Sequence, residues 1–239
     1  MGFVWVLVLA GMIGITATLG AVLYRGALAA RLGKRTAARV AAASAIGWAA
    51  WIVVSALLAG AGAFRQDPVG ISPGIPVALV GTLLAVLLAT RIPVVARILA
   101  DPLMPARLAL AQTLRVIGGV FLVVMALGAL PPVFAIPAGL GDIAIGVAAP
   151  FVARRMREGR AGRGAVWFNV LGIFDLVVAV GLGVLAGLGP AGLLDVTPST
   201  EIVGVLPLVL IPTTAVPLAL ALHIVSLAKL RKPSPALSR

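Results

Sequence analysis

Cysteine is absent from this chain, histidine occurs once, and charged residues make up only 11% of its 239 positions. Without cysteine there is no disulfide, no thiol nucleophile and no thiolate metal site. A lone histidine, His223, supplies no clustered metal-ligand set, and no redox or metal cofactor is expected. A water-facing domain carries roughly 25% charged residues, so so little charge cannot clothe an ordinary soluble surface. Nor is there a glycine-rich phosphate loop after a strand. Uphill work by such a protein would draw on an ion gradient or on another subunit.

What the chain has in excess is apolar length. Hydrophobic residues make up 62% of it, in runs over Phe3–Tyr24, Val40–Phe64, Gly74–Thr90, Leu108–Leu130, Val133–Val152, Ala165–Leu188 and Ile202–Ala228. Most reach the ~20 residues that carry a helix across a ~30 Å hydrocarbon core. Barrel strands are shorter and alternate in polarity, which these runs do not. The expectation is an all-α integral membrane protein, a bundle of seven transmembrane helices forming a single domain over residues 1–239 with a basic tail at 229–239. The third run is short. It spans only if Arg91 snorkels and the helix continues through Ile92–Val95, or if it starts near Val69. Ile92–Ala100 mixes Val and Ile with Arg97 and reads equally as a segment along the cytosolic interface before Asp101-Pro102.

Basic residues set the orientation. All of the 19 except Arg65 and Arg115 lie in the first, third and fifth loops or the tail, namely Arg25 to Arg39, Arg91 to Arg107, Arg154 to Arg163, and Lys229 to Arg239. Asp67, Asp195 and Glu201 belong to the other side. By the positive-inside rule the amino terminus is outside and the carboxyl terminus cytosolic, in a multi-pass protein of a bacterial inner membrane. The +12 charge then meets anionic lipid and needs no nucleic acid. The first run lacks a basic leader and is followed by positive charge, so it reads as a retained helix. The longest connection, Gly189–Glu201, has room for a short external helix and no core of its own.

A weak internal repeat is present. Arg115-Val-Ile-Gly118 followed by Leu122-Val-Val aligns with Asn169-Val-Leu-Gly172 followed by Leu176-Val-Val, and Ala135-Ile-Pro137 aligns with Leu210-Ile-Pro212. Helices four and five then resemble a parallel copy of six and seven, a pattern that in transporters places the site at the repeat interface.

Polar residues inside the runs carry the functional information, because an ionisable group at mid-membrane costs roughly 2.5–3.5 kcal/mol and is normally turned inward and partnered. The set is Gln112 and Arg115 on helix four, Asp142 on five, Asn169 and Asp175 on six, and His223 on seven, with Thr213 and Thr214 between Pro207, Pro212 and Pro217. Measured from the cytosolic ends, Arg115, Asp142, Asp175 and His223 lie ~9–18 Å deep. Each shares a face with small residues: Gly139, Asp142, Gly146, Ala149 and Ala153; Asn169, Gly172, Asp175, Ala179 and Gly183; Gln112, Arg115, Gly119 and Ala126. The turn at Pro131-Pro132 makes helices four and five neighbours, so Arg115 can reach Asp142. Asp175 is then left over beside neutral neighbours, either hydrogen-bonded as a neutral acid or free to carry a proton or a cation. His223 reads as a hydrogen-bonded residue sooner than a ligand. The prolines free backbone carbonyls, which threonines back-bonding can satisfy or a bound solute can use. Trp48 and Trp51 lie deep in helix two, as packing or cavity-lining residues.

Seven helices with an external amino terminus invite comparison with retinal proteins, but the three lysines, Lys34, Lys229 and Lys232, all lie at cytosolic ends. None can form a mid-membrane Schiff base. Three functions fit in decreasing degree: a small-solute or proton-coupled transporter using buried carboxylates; a structural or accessory subunit that packs with a second copy or a membrane partner; and a membrane-embedded enzyme or sensor.

Overall fold

In a computed structural model, residues 2–65, 73–187, 194 and 196–231 are described. Asp67, Asp195, Lys232, Arg239, residues 189–193 of the 189–201 connection and the start near Val69 lie outside them. Among the described residues the fold is entirely helical. Its α-helices are α1 (Gly2–Ala29), α2 (Lys34–Gly60), α3 (Gly74–Ala89), α4 (Pro93–Leu99), α5 (Met104–Ala111), α6 (Val120–Ala126), α7 (Pro132–Arg157), α8 (Gly162–Leu185) and α9 (Val216–Leu230). Six segments are long and apolar enough to cross a membrane: α1, α2, Met104–Ala126, α7, α8 and Ile211–Leu230. The chain is a multi-pass membrane protein.

The turns follow from local chemistry. α6 ends where Gly128 takes a positive φ of 74°. The N–H groups of Gly128 and Ala129 then close back on the carbonyls of Met125 and Val124, and Pro132 opens α7 from its first turn. Gly159 ends α7 in the same way, its N–H and that of Arg160 reaching Met156 and Arg155. Between α3 and α4 the axis turns by 83°. Pro93 has no N–H to continue the ladder and holds Ile92 in an extended conformation, with ψ at 127°. The third run therefore does not continue straight through Ile92–Val95; it stops, and α4 leaves at a steep angle.

Two other runs depart from uniform α-helix. Leu108–Leu130 is broken into α5, a 3-10 segment over Gln112–Gly119, and α6. Ile202–Ala228 begins as a short 3-10 turn at Glu201–Gly204 and becomes continuous only at Ile211, where a π-helical turn over Ile211–Ala215 leads into α9. Pro207 and Pro212 cannot donate to a regular ladder, so the first two turns expected of that helix do not form.

Packing separates two ends. At one, the last turn of α1 meets α2, α4, α5 and α9 through Ala27, Ala37, Ile98, Met104, Leu108 and Leu222. There Gly26 lies so close to Ile98 and Met104 that a Cβ would collide with both, and Arg25 and Arg157 each come within electrostatic reach of Arg107. At the other, Val4, Val8 and Met12 pack with Val124, Leu130, Phe134 and Leu210, while Phe64 joins Ala78 and Val209. α3 starts beside Ala63 and Phe64 at this second end, and α4, which follows it, packs on α1 at the first.

Candidate functional site

Midway between those ends the buried polar residues converge. The 3-10 segment has three residues per turn, so Gln112, Arg115 and Gly118 fall in one row, and all three are buried. This corrects the expected face in one detail: Gly118, and not Gly119, continues it. α7 packs directly on the segment. Gly146 permits the approach, since a Cβ there would stand 2.7 Å from the Val116 nitrogen and 3.1 Å from the Thr113 oxygen.

Arg115 is the hub. Its Nε donates to Asp142 Oδ1 at 2.6 Å, and its Nη2 donates to Asp175 Oδ2. Its Nη1 donates to the Gly172 carbonyl at 3.2 Å and lies 3.4 Å from His223 Nε2. Asp175 is thus not left among neutral neighbours; one guanidinium, with its fork of donors, bridges both carboxylates. Asn169 donates its amide N–H to Ala165 O at 2.8 Å, so its Oδ1 accepts from His223 Nδ1 at 3.0 Å. That fixes the neutral Nδ1–H tautomer, with the Nε2 lone pair turned to Arg115. Both ring nitrogens thus face partners within the network.

Five of the expected residues, Arg115, Asp142, Asn169, Asp175 and His223, therefore form one connected network. With both aspartates ionised and the histidine neutral, the single arginine leaves it one negative charge in excess. Gln112 stands beside it and donates to the Ala219 carbonyl at 3.1 Å. Thr213 and Thr214 do not join it. Their hydroxyls bond back to Val209 O at 2.8 Å and Leu210 O at 2.5 Å. Pro217 deprives the Thr213 carbonyl of its helical partner, and Trp51 Nε1 at 3.1 Å and Thr82 Oγ1 at 3.2 Å donate to it instead. The carbonyl freed by proline is occupied from within the protein.

Glycines shape the network, and two of them were not singled out from the sequence. A Cβ at Gly118 would overlap the Asp142 carboxylate, one at Gly141 would overlap Asp175, and one at Gly172 would overlap the His223 ring. The available signal was their spacing: Gly118 three residues after Arg115, Gly141 directly before Asp142, and Gly172 three before Asp175.

A cavity of about 800 Å³ borders the network. Its wall is almost wholly apolar, built from α1, α2, α3 and α9 with Trp48 and Trp51, and its charged groups are Arg115 and Asp142. It extends from mid-bundle to Thr90, Val95 and Leu99 at the basic end. Of the flanking helices, α2 packs chiefly on α1 and α3 on α9. A second, smaller cavity of about 90 Å³ reaches the opposite end at Phe64, Ile75 and Val203. Asp142, Leu176, Ile211 and Val216 line both cavities and so form the partition between them.

No curated protein and no solved structure matches the chain. A family model described as a domain of unknown function, DUF8737, matches residues 72–231, a stretch that contains every member of the network. The chain belongs to that family.

Proposed function

We propose that the protein is a small-solute transporter whose flux is coupled to protons, crossing a bacterial inner membrane seven times with its amino terminus outside. The observation that carries this reading is the position of Asp142. It belongs to a network with one uncompensated negative charge, and it stands on the partition between two cavities that lead toward opposite ends of the bundle. A carboxylate so placed can exchange a proton or a cation with either side in turn, which is the requirement of coupled alternating access.

The seven-span reading draws on α3, which is 16 residues long, or about 24 Å, and runs from the Phe64 end of the bundle toward the end where α4 meets α1. The repeat lends support as well. Gly118 and Gly172, equivalent in the two halves, each receive a functional side chain, Asp142 and His223. Anionic lipid at the basic face is the expected surroundings.

The test is reconstitution of the purified chain into liposomes under an imposed pH gradient, with uptake of a panel of labelled small solutes. Gradient-driven uptake that disappears in Asp142→Asn supports the proposal. Absence of any flux, together with copurification of a fixed membrane partner, would favour an accessory subunit.

A further inference from the structure

We infer that the large cavity binds a hydrophobic organic cation, a molecule with an apolar body and a single positive charge, in exchange for one proton on the Asp142–Asp175 pair. The inference rests on the transport reading of the same site and adds its substrate class.

Volume comes first. About 800 Å³ is the room a drug-sized molecule needs, since pockets for such ligands hold roughly 300–1,000 Å³. The wall selects an apolar body: Met12, Ile15, Trp48, Trp51, Val86 and Leu222 are typical of it. A small hydrated ion or a sugar would leave its polar groups unpaired against such a surface. Trp48 is 7% exposed, and its indole N–H meets no acceptor among the described residues, so the wall also holds one buried donor without a partner.

The charge on the wall selects the head group. An anion would have to bind Arg115, whose N–H groups already serve Asp142, Asp175, the Gly172 carbonyl and His223. It would also face two carboxylates at close range. A cation meets the opposite situation. The Asp142 side chain is 14% exposed, it lines the cavity, and among the described residues no donor reaches its Oδ2. With the pair holding one proton the network is neutral. When the cation binds, that proton leaves to water and the cation takes its place, so total charge is conserved. Release of the cation lets a proton return. Tryptophan rings beside the site add the attraction of an aromatic face for a desolvated cation.

Two probes of equal size and opposite charge decide the matter: tetraphenylphosphonium and tetraphenylborate, titrated calorimetrically into the detergent-purified full chain in two buffers of different ionisation enthalpy. The expected result is saturable binding of the phosphonium with release of about one proton per cation, hence an affinity that falls about tenfold for each unit by which the pH is lowered, wherever protons compete one for one. Binding should weaken at least tenfold in Asp142→Asn. It should weaken as much in Ala85→Trp, which fills the cavity from α3, a helix that carries no member of the network. If Asp142→Asn fails to fold, Ala85→Trp decides. Equal binding of the borate, phosphonium binding without proton release, binding untouched by Ala85→Trp, or no saturable phosphonium binding would each overturn the inference. Phosphonium binding with proton release but no flux in liposomes would overturn the transport reading and leave the ligand class standing. Gradient-driven flux of another solute by a chain that ignores the phosphonium would do the reverse.

Discussion

Two polar regions lie inside this bundle, and they differ in what they leave over. Around Thr213 every freed group finds a partner: the carbonyl exposed by Pro217 accepts from Trp51 and Thr82, and the threonine hydroxyls bond back to their own helix. Around Arg115 the hydrogen bonds are equally dense, yet two carboxylates share one guanidinium. The first region carries no ionisable group. The second sets two carboxylates against one guanidinium, and Asp142 lines the cavity. The two regions therefore differ in charge balance rather than in depth or burial.

The largest effect that would test this contrast is removal of the hub. Arg115→Ala should destabilise the bundle by about 3–5 kcal/mol, because it leaves two buried carboxylates without a cation. Adding Asp142→Leu alone should restore only part of the loss, since Asp175 remains. Adding Asp142→Asn and Asp175→Asn together should restore most of it. Denaturation of the purified variants in mixed micelles measures the series, and full recovery by Asp142→Leu alone would show that Asp175 is not a true partner. Next in size is Gly141→Ala, whose Cβ would overlap Asp175. It should cost about 1–3 kcal/mol through overpacking and should displace the carboxylate. The same measurement checks it, and a neutral result would mean that α7 and α8 stand farther apart than described.

On the neutral side, Thr213→Val removes the hydroxyl that bonds back to the Val209 carbonyl and should cost about 1 kcal/mol while leaving coupled uptake unchanged. Loss of coupling in that variant would join the two regions and erase the distinction. Smallest of all is Glu158→Gln at the exposed end of α7. The pairs of Glu158 with Arg154 and Arg160 are water-exposed, and such pairs contribute about 0–1 kcal/mol, so stability should barely move.

Much of this was legible in the chain. Apolar runs marked the helices, and the small-residue stripes of α7 and α8 placed Asp142, Asn169 and Asp175 on packing faces. The short turn at Pro131-Pro132 brought Arg115 to Asp142. What stayed hidden depended on tertiary contact. An α-helix and a 3-10 helix over Gln112–Gly119 differ little in local preference, and only close packing on Gly146 reveals the tighter winding that puts Gly118 in place of Gly119. The bridging of both carboxylates follows from that winding and from Gly118 and Gly141, and no pairing rule based on spacing along a single helix reaches it. In α9 the prolines were visible, but which donor would take the freed carbonyl depended on Trp51 and Thr82, far away in sequence.

The central claim is that the two aspartates act as one unit holding a single exchangeable proton. Infrared difference spectroscopy of the purified protein between acidic and neutral pH measures this directly through the carboxylic C=O stretch. Wild type should show one titrating band in the buried-carboxyl region. Either Asp142→Asn or Asp175→Asn alone should abolish it, because the remaining carboxylate is then matched by Arg115. A band that persists in one of the two single variants would assign the proton to an independent residue, and no band in the wild type would leave the network purely structural.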